Sequence, residues 1–422
     1  MLKGKQQIAY NTLISGYNTF LTGEGGTGKS YVINEFIDFC DKNNINIMIT
    51  APTGIAAINI GGVTLHRAFK IPLKPLVEDA NAIPNLLKDV DVIIIDEISM
   101  TRIDVFDYIS KIIIALNMHR RKAKKKDLQV VVVGDFFQLP PVITDKDRET
   151  LETYKYGEDL GSGFAFQSKY WNLYNFVCIN LTDVVRQNDI EFIKHLNKIR
   201  VGNRASISYF NSIAAKNEIT DAILLCGTNK AVKEKNDKEF NKLTTKIVTF
   251  EALEEGEIQE SDKVVPNTLK LRVGCRVMSV INDCFDKYQN GSLGTVTSID
   301  KGGVTVKFDN GNKVYIEPYT WDIHNYNAKK VNGKVKLQMS NIGTYSQIPL
   351  KLAYAVTIHK SQGQTYDKVN LNPYCWDYGQ LYVALSRVKT VEQLHLTQPI
   401  QYQFLKTSVD VKDFYNNMSK II

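Results

Sequence analysis

The 422-residue chain is short of several things, and each shortage removes a class of protein. Its six cysteines, Cys40, Cys178, Cys226, Cys275, Cys284 and Cys375, never fall in a C-x-x-C pair, so neither a zinc module nor a disulfide scaffold is indicated, and the thiols are expected reduced and mostly buried. No stretch offers the roughly 20 uninterrupted apolar residues of a spanning helix, and Met1 to Gln6 lack the apolar run of a secretory signal. A protein that stays inside the cell, with no membrane partner, is therefore expected, and its compact size suggests the cytoplasm of a bacterial or phage-infected cell. No internal repeat or coiled-coil heptad is found, and no large accessory extension is expected at either end.

What is present is ordinary globular chemistry. Hydrophobic residues at 44% and charged residues at 23% argue against disorder, and the length suits about three average domains. A net charge of +7 suits a polyanionic partner without requiring one.

Short β-branched runs recur in the first half: Asn18 to Leu21, Ile45 to Thr50, Val92 to Ile95, Val130 to Val133 and Phe176 to Leu181. Each is followed by a loop or a helical pattern, as in a doubly wound parallel sheet, where functional residues sit beyond the carboxyl ends of strands. A second set of strands is expected at Ala222 to Cys226, Lys368 to Leu371 and Leu394 to Leu396. Between its parts, from about Lys270 to Ile316, short strands broken by Asn290-Gly291, Lys301-Gly302-Gly303 and Asn310-Gly311 read as a small hairpin-built barrel. The basic run His119 to Lys126 is either a solvated helix end or a patch for a phosphate backbone.

Gly23-Glu24-Gly25-Gly26-Thr27-Gly28-Lys29-Ser30 satisfies G-x-x-x-x-G-K-[ST] between an apolar strand and the helical pattern Tyr31 to Phe39. Glycines let such a loop turn tightly and aim N–H groups at phosphate oxygens, and the helix start adds partial positive charge. Lys29 is expected on the β and γ phosphates of ATP, and Ser30 on Mg²⁺. A second element completes the site. Val92 to Ile95 deliver Asp96 and Glu97 to a strand end, where Asp96 can reach the metal and Glu97 can polarise the attacking water. Two adjacent carboxylates there are costly without a cation. Gly134 to Pro141 follow the next strand and place Gln138 near the cleaved phosphate. Arg186 and Arg387 are candidates for the mobile positive charge that phosphoryl transfer wants, typically worth about 10³ to 10⁵ in rate.

Taken in order, these blocks resemble superfamily 1 helicases of the 5′-to-3′ branch, nearest the petite-integration-frequency type and more distantly RecD-like enzymes. The resemblance spans nearly the whole chain. It includes Gly23 to Ser30, Ala51 to Ala57, Gly62 to His66, Asp96 to Met100, Gly134 to Val142, Leu181 to Gln187, Thr357 to Gly363 and Tyr382 to Arg387. Glu24-Gly25 departs from the usual composition only at free positions of the phosphate loop.

The resemblance implies two RecA-like doubly wound domains with ATP in the cleft between them and single-stranded DNA across both. It makes Gln6 the adenine reader and brings Gln362 and Gly363 toward the γ-phosphate. It carries DNA contacts onto Pro52, Thr53, Gly54, Thr64, His66, Thr228, Asn229, Thr357, His359 and Lys360, whose hydroxyls, amides and N–H groups can grip phosphates without reading bases. Nucleotide binding would close the cleft because Arg186, Gln362 and Arg387 gain partners only when it is shut. The segment Cys275 to Val296 looks like the family's inserted SH3-like barrel, and Phe69 to Lys88 occupies the place of its strand-separating wedge.

Expected boundaries are 1–179 for the first domain, with the wedge at about 70–89. The second takes 180–270 and 345–422, and the barrel 271–344. The implied activity is 5′-to-3′ unwinding of forked or structured duplex DNA from single-stranded DNA by a monomer. An RNA-directed helicase of the same superfamily, or an ATP-switched clamp that never moves, remains open on sequence alone.

Overall fold

The computed structural model describes residues 2–72, 74–78, 83–182, 189–214, 217–283, 285–331 and 334–418. It divides into two compact units: Met1–Arg186 with His324–Ser340 and Thr407–Ile422, and Gln187–Ile323 with Asn341–Lys406.

The first unit is built on six parallel strands: β1 (Thr19–Gly23), β2 (Ile47–Ala51), β3 (Val63–Thr64), β4 (Val92–Ile95), β5 (Gln129–Val133) and β6 (Val177–Leu181), in the order β3-β2-β4-β5-β1-β6. Strands buried on both faces need apolar residues at every position, and the Val-Ile-Ile-Ile run of β4 supplies them. Alternation sends Ile93 and Ile95 into one core layer with Phe20, Val130 and Val132, and Val92 and Ile94 into the other with Leu21, Val131 and Val133. Helices Lys5–Ile14 and Lys29–Lys42 cover the second layer through Ala9, Leu13, Val32, Ile33, Phe36 and Cys40. Helix Ile103–Lys122 and an aromatic cluster around Phe136, Phe164 and Trp171 cover the first.

In the second unit four parallel strands, Ala355–Thr357, Ile223–Cys226, Val369–Leu371 and Leu394–Leu396, form one sheet in that order. A separate antiparallel sheet holds Lys313–Ile316, Val304–Phe308, Leu293–Ile299, Arg276–Ser279 and Leu350–Leu352. Its turns fall at the three Gly-containing breaks read from the sequence, and its core gathers Val277, Val296, Val306, Phe308 and Leu350. Parallel α/β architecture in both units agrees with the expected fold class.

Three segments lie elsewhere than expected: Leu350–Leu352, assigned to the second RecA-like domain, pairs with Arg276–Ser279 in the antiparallel sheet, and two more cluster with the first unit. Residues 324–340, assigned to the inserted barrel, belong to a long hairpin (Tyr319–Val331 and Lys334–Gln347) and cluster with the first unit. There the Tyr326 hydroxyl accepts from the Ile49 N–H at 3.1 Å, and the His324 carbonyl accepts from Arg67 at 3.1 Å. Likewise helix Val409–Asn417, assigned to the second domain, packs Phe414 on Phe166 and Tyr415 on Phe137 in the first.

In the basic run, Arg120 is a structural residue. It is buried, donating to the Val90 and Lys126 carbonyls at 2.7 Å each and pairing with Asp91 at 2.9 Å, while the lysines beyond it are exposed. Of the wedge segment, residue 73 and residues 79–82 lie outside the described residues. Leu76 beside them donates its N–H to Asp104 at 3.0 Å. Among the described residues no helix is long and apolar enough to cross a membrane.

Candidate nucleotide and nucleic-acid sites

Because the six strands of the first sheet are parallel, everything that follows them emerges at one edge. That edge carries the phosphate loop after β1, Thr53 after β2, Thr64 at the end of β3, Asp96-Glu97 after β4 and Gly134 to Gln138 after β5.

The phosphate loop is bent by its glycines. Gly23, Gly26 and Gly28 all have positive φ (142°, 88° and 85°), and a Cβ on Gly23 would run into the Leu181 carbonyl of the neighbouring strand. Lys29 folds its ammonium over the loop, donating to the carbonyls of Gly23 at 2.8 Å and Glu24 at 2.9 Å. Thr27 is buried, with its hydroxyl on the Glu24 carbonyl at 2.9 Å, while Ser30 is exposed in the first turn of Lys29–Lys42. Gln6 donates to the Thr27 carbonyl at 3.2 Å.

The acidic pair is held by main chain. Asp96 donates its N–H to the Thr50 carbonyl and accepts from the Glu97 N–H, both at 2.9 Å. Burial and the adjacent Glu97 carboxylate raise the Asp96 pKa, and the Glu97 N–H and the Lys29 ammonium oppose the rise, so Lys29 and Asp96 lie within electrostatic reach. Glu97 itself is left-handed (φ 48°, ψ 46°), a conformation costly for a residue with a Cβ. Gly134 lies against the next residue: a Cβ at that position would sit 3.0 Å from the Ile98 nitrogen. Gln138 is buried, its N–H on the Asp135 carbonyl at 2.9 Å. Arg186 lies outside the described residues.

At the same edge, Thr53 and Thr64 cap short helices, their hydroxyls accepting from the N–H groups of Ala56 and Arg67 at 3.3 Å each. Gly54 opens the first of these helices and His66 lies in the second. Burial, reinforced by Arg102 and opposed by Asp104, holds the His66 imidazole below its usual pKa. Pro52, Thr53 and His66 line a cavity of about 530 Å³ together with Lys74, Arg102 and Lys146.

The second sheet repeats the arrangement. Thr228 caps helix Asn229–Asn241, accepting from the Ala231 N–H at 3.3 Å, and Asn229 is its exposed first residue. Thr357 pairs with Cys226 on the adjacent strand and accepts from the Lys360 N–H at 3.2 Å. His359, half-buried and lowered in pKa by that burial, follows in a short turn. Gln362 and Gly363 (φ 79°) come next. Arg387, only 2% exposed, donates to the carbonyls of Ser361 and Gln364 at 3.0 Å each and so braces this segment; contrary to the expectation that it gains partners only on closure, its guanidinium is already bonded within its own unit.

Comparison with known proteins decides what this arrangement belongs to. The family model described as PIF1-like helicase matches residues 1–208. The ATP-dependent DNA helicase Pif1 of Campylobacter jejuni is 33% identical, over 94% of this chain and 94% of that protein. The chain belongs to the PIF1-like helicase family. Bacteroides Pif1 in complex with ADP-AlF4 is 33% identical and superimposes with a TM-score of 0.82 over 99% of this chain and 96% of that one. The complex of Bacteroides Pif1 with ADP-AlF3 and ssDNA gives 33% identity and 0.68 over 100% and 98%.

Two residues of this PIF1-like helicase escape motif reading. Trp376, 48% exposed, stands beside His359 with ring centroids 6.3 Å apart and planes at 26°, anchored by its indole N–H on the Gly227 carbonyl at 2.9 Å. It thus ties together the segments holding Thr228 and His359. Lys351 lies half-buried on the strand Leu350–Leu352, and burial together with the Lys360 charge pulls its pKa down to about 8. A tryptophan soon after a strand is the only local signal for Trp376, whose exposure the sequence does not show; nothing local marks Lys351.

Proposed function

We propose that the chain, an ATP-dependent DNA helicase, moves 5′-to-3′ along single-stranded DNA and opens forked or structured duplexes ahead of it, using Mg²⁺ with ATP. The observation that carries this reading is one sheet edge bearing both a phosphate loop with an acidic pair and capped helix starts suited to a phosphate backbone.

The residues fit both groups. Positive-φ glycines leave a cradle free of side chains, and a hydroxyl (Ser30) with a carboxylate (Asp96) is a donor set for a hard divalent cation. Bound Mg²⁺ would neutralise charge on the phosphates. Lys29 leaves its two loop carbonyls for phosphate oxygens, Glu97 orients the attacking water, and Gln138, Gln362, Arg186 and Arg387, the last only on exchanging its bonds to the Ser361 and Gln364 carbonyls, stabilise the charge of the transferring group. Gln6 reads the base. Pro52, Thr53, Gly54, Thr64, His66, Thr228, Asn229, Thr357, His359 and Lys360 hold the strand by its backbone, and Trp376 adds a face on which a base can stack.

Strand displacement on duplexes carrying a 5′ or a 3′ single-stranded tail tests the reading. Unwinding is expected with the 5′ tail, with ATP present, and not without it. Displacement only from the 3′ tail would reverse the polarity, and preference for an RNA tail over a DNA tail of one sequence would replace the DNA assignment by an RNA-directed one.

A further inference from the structure

The helix Val409–Asn417 returns the chain to the first unit, and its Tyr415 ends up between two loops of the nucleotide site. The Tyr415 hydroxyl lies 2.7 Å from Thr22 Oγ and accepts from the Phe136 N–H at 3.3 Å. In the bond to Thr22 either hydroxyl can donate. The ring stacks on Phe137, with centroids 4.9 Å apart and planes at 17°. At the other end of the helix, Asp410 accepts from Gln167 at 2.9 Å and from the Ser162 hydroxyl.

Position gives these bonds their meaning. Thr22 is fully buried and immediately precedes Gly23, whose carbonyl takes the Lys29 ammonium. Phe136 and Phe137 immediately precede Gln138. The β1–β5 ladder ends at Leu21 and Val133, followed by one more bond from the Gly134 N–H to the Leu21 carbonyl at 3.1 Å. Past that point the tyrosine hydroxyl supplies a further link between the two segments.

We propose that Tyr415 is a positioning residue for ATP hydrolysis: its hydroxyl sets the spacing between the phosphate loop and the loop that presents Gln138. This rests on the reading that those two loops handle ATP. Tyr415 does not touch substrate. It acts through Thr22 and Phe136, so its effect belongs to turnover, where a small displacement of Gln138 counts, more than to nucleotide affinity, which the loop glycines and Lys29 supply.

The test compares Tyr415→Phe, which keeps the ring and its stacking, with Asp410→Ala, which loosens the helix away from the loops. DNA-stimulated ATPase kcat and KM and the melting temperature are measured for both and for the wild type. Tyr415→Phe is expected to lose about tenfold in kcat, the scale of a sub-ångström misplacement of Gln138, with KM changed by less than about twofold. Asp410→Ala is expected to melt lower and turn over normally. Wild-type kcat in Tyr415→Phe, or losses in both variants that follow their melting temperatures, would overturn the role. Wild-type turnover, measured first, decides the function itself, so a wild type that hydrolyses ATP beside a fully active Tyr415→Phe sinks only the positioning role.

Discussion

The Gln6 amide donates to the Thr27 carbonyl at 3.2 Å and packs so closely on Gly28 that a Cβ there would come within 2.5 Å of its nitrogen. A residue from the first helix is thereby held against the middle of the phosphate loop, and the same amide can offer a donor and an acceptor to a purine edge. Gln6→Ala is expected to raise KM for ATP by about tenfold while changing KM for GTP much less, because the two bases present opposite donor and acceptor patterns. ATPase and GTPase titrations check this. Equal shifts for both nucleotides would make Gln6 a support for the loop and nothing more.

Glu97 occupies a left-handed conformation, and Gly134 lies close against Ile98, the residue after it. Strain of that kind at a carboxylate beside Asp96 is the signature of a group held for a task. Glu97→Gln preserves shape and backbone and removes the charge, so it is expected to lower kcat by about a thousandfold, as loss of a positioned base does, while nucleotide and single-stranded DNA still bind. Single-turnover ATPase beside a filter-binding assay separates the two. Hydrolysis at the wild-type rate would remove Glu97 from the chemistry.

These local features were legible because each is written in a few consecutive residues: a glycine pattern that bends the chain, or four β-branched residues ending in two carboxylates. β3 was not legible as a strand, since Val63 and Thr64 are too short a run to show alternation. Nor could any window foretell that Tyr326 would reach Ile49 or that Tyr415 would reach Thr22, because those contacts join segments far apart in sequence, and the tyrosines look like any others. Two of the departures from the expected domain boundaries are these same contacts. Burial of Arg120 also depended on a tertiary partner, Asp91, that a charge run cannot reveal.

Trp376 is expected to carry binding energy for the strand. Its indole is half exposed, oriented by the bond to Gly227 and set beside His359, the geometry of a stacking platform. Replacing such an aromatic by alanine costs about 1–3 kcal/mol per stacked base, so Trp376→Ala should weaken single-stranded DNA binding at least fivefold or so, and by similar factors for dT and dA oligomers. Trp376→Phe should retain part of the affinity. Fluorescence anisotropy with both oligomers is the measurement, and an unchanged Kd for Trp376→Ala would exclude the platform.

Lys351 should make strand binding depend on pH where other lysines do not. Burial and the nearby Lys360 lower its folded pKa to about 8, below the ordinary lysine value. For a base shifted downward, folding disfavours the proton. The penalty is full below that pKa and fades as pH rises from there to the ordinary value, so the free protein gains stability over that window. Binding responds in the opposite sense, since a DNA phosphate near Lys351 and Lys360 favours the charged ammonium that rising pH removes. Affinity for single-stranded DNA is therefore expected to fall between pH 7 and pH 9, with the slope of log K against log salt shrinking by about 0.7, one phosphate contact on a single strand. Lys351→Arg, charged throughout, should keep one slope at both pH values. Salt titrations of both proteins at each pH decide the matter, and a wild-type slope that does not change would place Lys351 away from the strand.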